Sequence, residues 1–150
     1  MNINEFLTPA QVMLGVRASD KGGLLQELAR RAAAALDLAP DVVASALLKR
    51  EELGSTGTGG GVAIPHARLT GIDKPFGMLA RLAKAINFDS IDGQPVDIVF
   101  LLLLPAHSQG EQLNALASAA RILRDPQVIN DLRRTNDAAG LYGAVTRMRS

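Results

Sequence analysis

Apolar residues recur every three or four positions in several parts of the chain, which is the spacing of one helix face. This pattern predicts an amphipathic helix over residues 20–36. A second helix is predicted from Pro40 onward, with Gly54 placed to end it. Three further helices are predicted towards the carboxyl end: residues 113–123, one begun by Asp125 and Pro126, and one begun by Asp137.

Other apolar stretches are too short or too evenly apolar for an amphipathic helix. "VAIPH" at 62–66 and "FGMLARL" at 76–82 are typical of strands. "DIVFLLLL" at 97–104 is apolar on both faces, which predicts a central strand covered by helices on both sides. We therefore predict one α/β domain over residues 1–150, a single-domain sandwich with a mixed β-sheet covered by helices on both faces.

Composition narrows the classes of function. Hydrophobic residues make up 47% of the 150 positions and charged residues 21%, as in globular domains. Sixteen basic against fifteen acidic residues leave a net charge of +1, so no basic surface for nucleic acid is predicted. The absence of cysteine excludes disulfides, thiolate metal sites and a cysteine nucleophile.

Nothing in the sequence predicts membrane insertion. The longest apolar run, "IVFLLLL", is well short of the roughly 20 residues of a spanning helix. The amino terminus, "MNINEFLTPAQ", has no basic start followed by an apolar stretch, so we expect no signal peptide. The expected localisation is cytoplasmic.

The most unusual stretch is "REELGSTGTGGGVAIPHARL" at 50–69, with five glycines in eight positions. A phosphate-binding P-loop would need Lys-Ser or Lys-Thr after its last glycine, but Gly59 is followed by Gly60 and Gly61. A dinucleotide fingerprint fails because Val62 occupies its third glycine position. A flexible connector remains one interpretation. Glycine is costly in chain entropy, however, so five glycines indicate a backbone that needs positive φ angles or close packing.

His66 follows this stretch directly and is one of two histidines. An incidental surface or core histidine is one interpretation. No metal-binding spacing surrounds it, and Ser55 and Ser108 lack the turn of a hydrolase nucleophile. The remaining chemistry is an imidazole that acts as a nucleophile itself, since its pKa near 6.5 leaves a lone pair available at neutral pH. This chemistry needs no metal and no cofactor.

The motif "RE-x-LGSTG-x-G-x-GVAIPH" resembles the active-site signature of a known family. It is similar to the enzyme IIA proteins of the fructose and mannitol class of the bacterial phosphoenolpyruvate-dependent phosphotransferase system, most closely the nitrogen-regulatory branch. "DGQPVDIVFLLLLP" and "LRDPQVINDLR" extend the similarity. The resemblance implies an α/β sandwich in which His66 accepts a phosphoryl group from a phosphorylated HPr-type carrier protein.

The resemblance also implies roles for residues near His66. Arg50, sixteen positions earlier, matches the family's arginine and would hold phosphoryl oxygens with a forked cation, unless it pairs with Glu51 or Glu52. The turn glycines would let the backbone approach the phosphate, and two threonines would donate hydroxyl hydrogen bonds or serve only as turn residues. These candidates are Gly57, Gly59, Gly60, Gly61, Thr56 and Thr58.

Three functions follow from the resemblance. The favoured one is a phosphoryl carrier whose phosphorylation state regulates cytoplasmic partner proteins. The alternatives are a sugar-transport component that donates phosphate to a IIB domain, and a IIA-like binding module that takes no phosphate.

One position departs from the family pattern. The family commonly has a second active-site histidine in a "His-Leu-x-x-Leu" segment, and here "QLNAL" puts Gln112 at that position. His107 lies five residues earlier and is expected in a loop, where it does not substitute. Gln112 can donate a neutral hydrogen bond to a phosphoryl oxygen or orient the His66 ring, but it cannot carry charge.

Overall fold

The computed structural model describes residues 2–107 and 109–146, without the side chains of residues 109 and 111–113. Two short 3-10 turns, Ile3–Glu5 and Pro9–Gln11, precede the main elements. In chain order these are β1 Val12–Val16, α1 Lys21–Leu36, α2 Pro40–Glu52, β2 Gly57–Gly59, β3 Val62–Ala63, β4 His66–Leu69, β5 Phe76–Ile86, β6 Val96–Pro105, α3 Gln109–Leu123, α4 Pro126–Arg134 and α5 Ala138–Thr146.

Four of the described helices begin at the residues that the sequence marks, whereas α3 begins at Gln109, four residues before the predicted start at 113. The Asp20 carboxylate accepts a hydrogen bond from a backbone N–H in the first turn of α1, and Asp125 does the same for α4. Pro40 opens α2, and Asp137 accepts from the Gly140 N–H in α5. Over the described residues, no helix combines the length and the apolar character needed to cross a bilayer.

The central strand of the sheet is β6, as its apolar pattern predicts. The sheet order is β1-β5-β6-β3-β2, with β4 also paired to β6. β6 runs antiparallel to β5 and parallel to β3 and β4, so the sheet is mixed. Apart from half-buried Asp97, every residue of β6 is buried. A strand with neighbours on both edges and helices on both faces has no polar side to present.

Helices cover both faces of the sheet, which confirms the predicted fold class. On one face, alternate β6 residues such as Val99 and Leu101 pack with the buried side of α1 and α2. On the other, Phe100 and Leu102 pack with α3, α4 and α5. The alternation of side chains along a strand therefore divides β6 between two hydrophobic cores.

The predicted strand at 62–66 is wrong in one respect, because it is two strands. β3 ends at Ala63 and β4 begins at His66, and both run along β6. Pro65 lies in the gap, where it has no N–H to donate, while its carbonyl accepts from Leu102 N at 2.9 Å. The interruption puts His66 at the start of a strand.

Two short strands, β1 and β2, were not predicted from the sequence. β2 falls inside the glycine stretch and pairs antiparallel with β3, so this stretch is a hairpin and not a flexible connector. Gly59, Gly60 and Gly61 have φ values of +100°, +67° and +83°, which explains why glycine is needed there. Arg133 of α4 donates to the Gly60 carbonyl at 2.9 Å and thereby ties the turn to the helix.

We predict that Gly61→Ala destabilises the protein. A Cβ there would collide with the Arg133 guanidinium, at a φ that L-residues avoid. The expected loss is about 1–3 kcal/mol of unfolding free energy, measured by urea denaturation. Gly110→Ala is the matched control, because Gly110 lies in α3 and an added methyl group would meet no described atom within 4 Å, so its stability should rise slightly. A Gly61→Ala variant with the parent's urea midpoint would contradict this explanation.

Candidate active site

His66 is held by a hydrogen bond to the backbone just before it. Its Nδ1 lies 2.8 Å from the carbonyl oxygen of Ile64. A carbonyl oxygen only accepts hydrogen bonds, so this contact assigns the ring proton to Nδ1. Nε2 is then the nitrogen with the lone pair. The site therefore selects one tautomer of the neutral imidazole.

The surroundings of His66 also favour its neutral form. Burial is the largest influence and lowers the pKa of the ring below its ordinary value, because a charged imidazolium loses solvation. The Ile64 carbonyl raises the pKa, the Arg50 cation lowers it, and the Glu51 carboxylate raises it, with a net lowering. The ring is therefore neutral at pH 7, with its lone pair free to react.

Arg50 lies in the last turn of α2 and shares a cavity with His66. Its Nη1 donates to the Gly54 carbonyl at 2.9 Å, which anchors the half-buried side chain beside the end of the helix. The alternative pairing with Glu51 or Glu52 is absent from the described ion pairs, since Glu51 pairs with Lys21 instead. The structure thus brings together the two residues predicted to act in catalysis.

The shared cavity has a volume of about 1000 Å³. Its described lining is positively charged, because Arg50, Lys49 and Arg68 face one described carboxylate, that of Asp41. Such a concentration of positive charge attracts an anionic group. In the described part of the chain, no three histidine, aspartate or glutamate side chains gather where they could hold a metal ion.

The two predicted threonines already have protein partners. Thr56 is buried, and both its N–H and its hydroxyl donate to the Glu51 carboxylate. The Thr58 hydroxyl donates to the Val62 carbonyl at 3.3 Å, within the hairpin. Among the described contacts, these hydroxyls support the local backbone.

The glycines of the hairpin turn are not brought to His66. Gly60 N donates to Asp92, and Gly61 packs against Asp97 and Arg133, near the start of β6. His66 pairs further along the same strand, opposite Leu102. Gly57 and Gly59 pack against the loop that precedes β6, facing Ser90 and Asp92. In the described structure, the cavity lining includes none of the four predicted glycines.

Gln112 and His107 are the two residues considered for the place of the family's second active-site histidine. His107 is exposed in the turn between β6 and α3 and is not part of the described cavity lining. Gln112 belongs to α3, but its side chain lies outside the described residues. Leu116, four residues later and so about one helical turn away, does line the cavity.

Sequence reasoning missed the residue that connects α2 to the hairpin. The Glu51 side chain is only 6% exposed and lies 2.8 Å from Lys21 Nζ. Thirty residues separate the two in sequence, and no spacing rule for a helix or hairpin relates them. The one feature of the sequence that could have pointed to Glu51 is its position directly after Arg50 in the motif.

Comparison with known proteins extends the resemblance seen in the sequence. The family model described as "Phosphoenolpyruvate-dependent sugar phosphotransferase system, EIIA 2" matches residues 5–147. A nitrogen regulatory protein of Bradyrhizobium diazoefficiens is 43% identical over 145 residues, covering 97% of this chain and 95% of that protein. The nitrogen regulatory protein of Escherichia coli is 39% identical over 132 residues, covering 87% and 81% respectively.

A solved structure agrees with these sequence matches. The crystal structure of nitrogen regulatory protein IIA-Ntr from Neisseria meningitidis has a TM-score of 0.90 at 32% identity, and the match covers 96% of this chain and 99% of that chain. The resemblance inferred from the motif is therefore confirmed. The chain belongs to the EIIA type 2 family of the phosphoenolpyruvate-dependent sugar phosphotransferase system, and it is similar to the nitrogen regulatory proteins over nearly its whole length.

Proposed function

We propose that this protein is a phosphoryl carrier that accepts a phosphoryl group on Nε2 of His66 from a phosphorylated HPr-type protein, and that its phosphorylation state regulates partner proteins. The observation that carries the proposal is the hydrogen bond between His66 Nδ1 and the Ile64 carbonyl. It leaves Nε2 as the nucleophile in a positively charged cavity.

The transfer is a single exchange of bonds at phosphorus. The lone pair of Nε2 forms the new nitrogen–phosphorus bond, and the bond between phosphorus and the donor breaks, its electron pair leaving with the donor. The Nδ1 proton stays in place, donated to Ile64, so the ring takes up positive charge as the bond forms. The protein's contribution is to position the reactants and to stabilise charge.

Arg50 supplies charge stabilisation. Arg50 lines the same cavity as His66, and its positive charge lowers the pKa of the ring. Its forked donors suit the oxygens of a phosphoryl group, and one of them is fixed by the Gly54 carbonyl. An anchored cation needs little reorganisation when charge builds up in the transition state.

Two observations support a protein partner and a regulatory role. Apolar Val42 on α2 and Leu53, directly after α2, line the same cavity and are 50% and 84% exposed, which suits contact with another protein's surface. The relatives that cover nearly the whole chain are named nitrogen regulatory proteins. We therefore favour regulation over transfer to a sugar-transport IIB domain.

Of the predictions that test the proposed function, the first concerns the residue that accepts the phosphate. With phosphoenolpyruvate, enzyme I and an HPr-type carrier, the parent should gain one acid-labile, base-stable phosphate, measured by intact mass. His66→Ala should gain none, and His107→Ala should behave as the parent does, because His107 is an exposed turn residue. Phosphate retained on His66→Ala would remove His66 from the proposal.

The same proteins distinguish regulation from sugar transport. A regulator should capture cytoplasmic proteins in a manner that differs between the phosphorylated parent and His66→Ala. Rapid transfer of the label to a IIB domain, with no such difference in captured proteins, would favour the sugar-transport alternative.

The second prediction concerns Arg50. Arg50→Ala should slow phosphoryl uptake by up to about a hundredfold, or on the order of 3 kcal/mol, as expected for loss of one pre-organised donor. Stability should change little, because the side chain is only half-buried. Arg30→Ala is the control, since Arg30 pairs with Glu27 on the surface of α1. Uptake by Arg50→Ala at the parent rate would exclude Arg50 from the site.

The third prediction concerns pH. Burial lowers the pKa of His66, so the neutral fraction of its ring between pH 7 and pH 6 is larger than that of an ordinary imidazole and falls as the pH drops through the lowered pKa. Glutamine does not titrate, so parent uptake should depend less on pH over this interval than uptake at a site with two histidines. Gln112→His should introduce a pH dependence there, because a second imidazole titrates near 6.5. Superimposable pH–rate profiles for the two proteins would contradict the role assigned to position 112.

A further inference from the structure

The reactivity of His66 depends on where the Ile64 carbonyl is held. Ile64 and Pro65 lie between β3 and β4, outside both strands. Ile64 N donates to the Thr56 carbonyl at 3.0 Å, and the Ile64 side chain is buried. A shift of Thr56 would therefore move the carbonyl that fixes the His66 tautomer.

Thr56 in turn is held by Glu51. Thr56 precedes β2 and so lies outside the sheet. Its N–H donates to Oε1 of Glu51 at 3.1 Å, and its hydroxyl donates to Oε2. Hydrogen bonds to a carboxylate are stronger than those between neutral groups. One side chain of α2 thus fixes both donors of the residue that supports Ile64.

Lys21 allows this carboxylate to be buried. Its Nζ lies 2.8 Å from Glu51 Oε1 and 4.8 Å from the centre of the Phe88 ring. A buried carboxylate without a partner would be costly, and an adjacent cation offsets that cost. Lys21, Glu51, Thr56, Ile64 and His66 therefore form a continuous series of polar contacts from the start of α1 to the imidazole.

We infer that Glu51 is a positioning residue for His66: through Thr56 and Ile64 it holds the proton on Nδ1 and so makes Nε2 the reactive nitrogen. The inference deepens the proposed function and rests on it for its consequence in phosphoryl transfer. Glu51 touches neither the imidazole nor the reacting atoms in the described contacts. It acts through the backbone that orients the ring.

The test is the tautomer of His66 in the unphosphorylated protein, read from the ¹⁵N shifts of its ring nitrogens at pH 8, where the ring is neutral. The parent should show the proton on Nδ1. Glu51→Ala should give a mixture of both tautomers, with phosphoryl uptake reduced about tenfold to a hundredfold, the scale of a small misplacement of a reacting group.

Two further variants make the test specific. Glu51→Gln should largely retain the parent tautomer, since its amide can accept from Thr56 N while the Thr56 hydroxyl turns to accept from the amide. Glu27→Ala, which removes a carboxylate paired with Arg30 and Arg31 on α1, should leave the ring unchanged.

An unchanged Nδ1–H tautomer in folded Glu51→Ala overturns the inference, even if uptake falls. Should that variant fail to fold, Thr56→Val decides, because it loses only the hydroxyl bond to Glu51 and should shift the tautomer in the same direction. A parent protein that takes no phosphate on His66 would defeat the proposed function instead, and the tautomer measurement would still decide the role of Glu51.

Discussion

The hydrogen bond from His66 Nδ1 to the Ile64 carbonyl is the contact on which the orientation and the tautomer of the imidazole depend. It exists because the chain leaves the sheet between β3 and β4 and rejoins it at His66. Pro65 provides that interruption, yet its carbonyl still accepts from β6 and keeps the chain in place. The long buried strand β6 thus aligns β3 and β4, and this alignment places the His66 imidazole beside the Ile64 carbonyl.

Charged side chains lie on two sides of His66, one facing the cavity and one facing the supporting backbone. Burial and Arg50 lower the pKa of the ring and favour its neutral form, and the cations that line the cavity attract an anionic group. Glu51 raises the pKa of His66, whereas Arg50 lowers it. The Glu51 carboxylate forms an ion pair with Lys21. Consecutive residues of α2 therefore serve different sides of the site, Arg50 towards the cavity and Glu51 towards the supporting backbone.

Sequence periodicity predicted most of the fold, because helices and central strands have strong apolar patterns. The starts of α1, α2 and α4 were evident from Asp20, Pro40 and Asp125. β1 and β2 were missed because they are short and interrupted by glycine, so that pairing with neighbours defines them more than their own residues do.

The motif grouped His66 and Arg50, which the structure places in one cavity, with glycines that the structure places in the hairpin, away from that cavity. Closeness in sequence does not imply closeness in space along an extended strand, where each residue advances the chain by about 3.3 Å. The link between Lys21 and Glu51 is a tertiary contact between two helices, which no local pattern reveals.

The most direct test of the central claim is ³¹P and ¹⁵N NMR of the phosphorylated protein labelled with ¹⁵N in its histidine rings. The tautomer held by Ile64 predicts that phosphorus couples to Nε2 of His66, with Nδ1 still carrying its proton. Phosphorus attached to Nδ1, or to a residue other than His66, would contradict it.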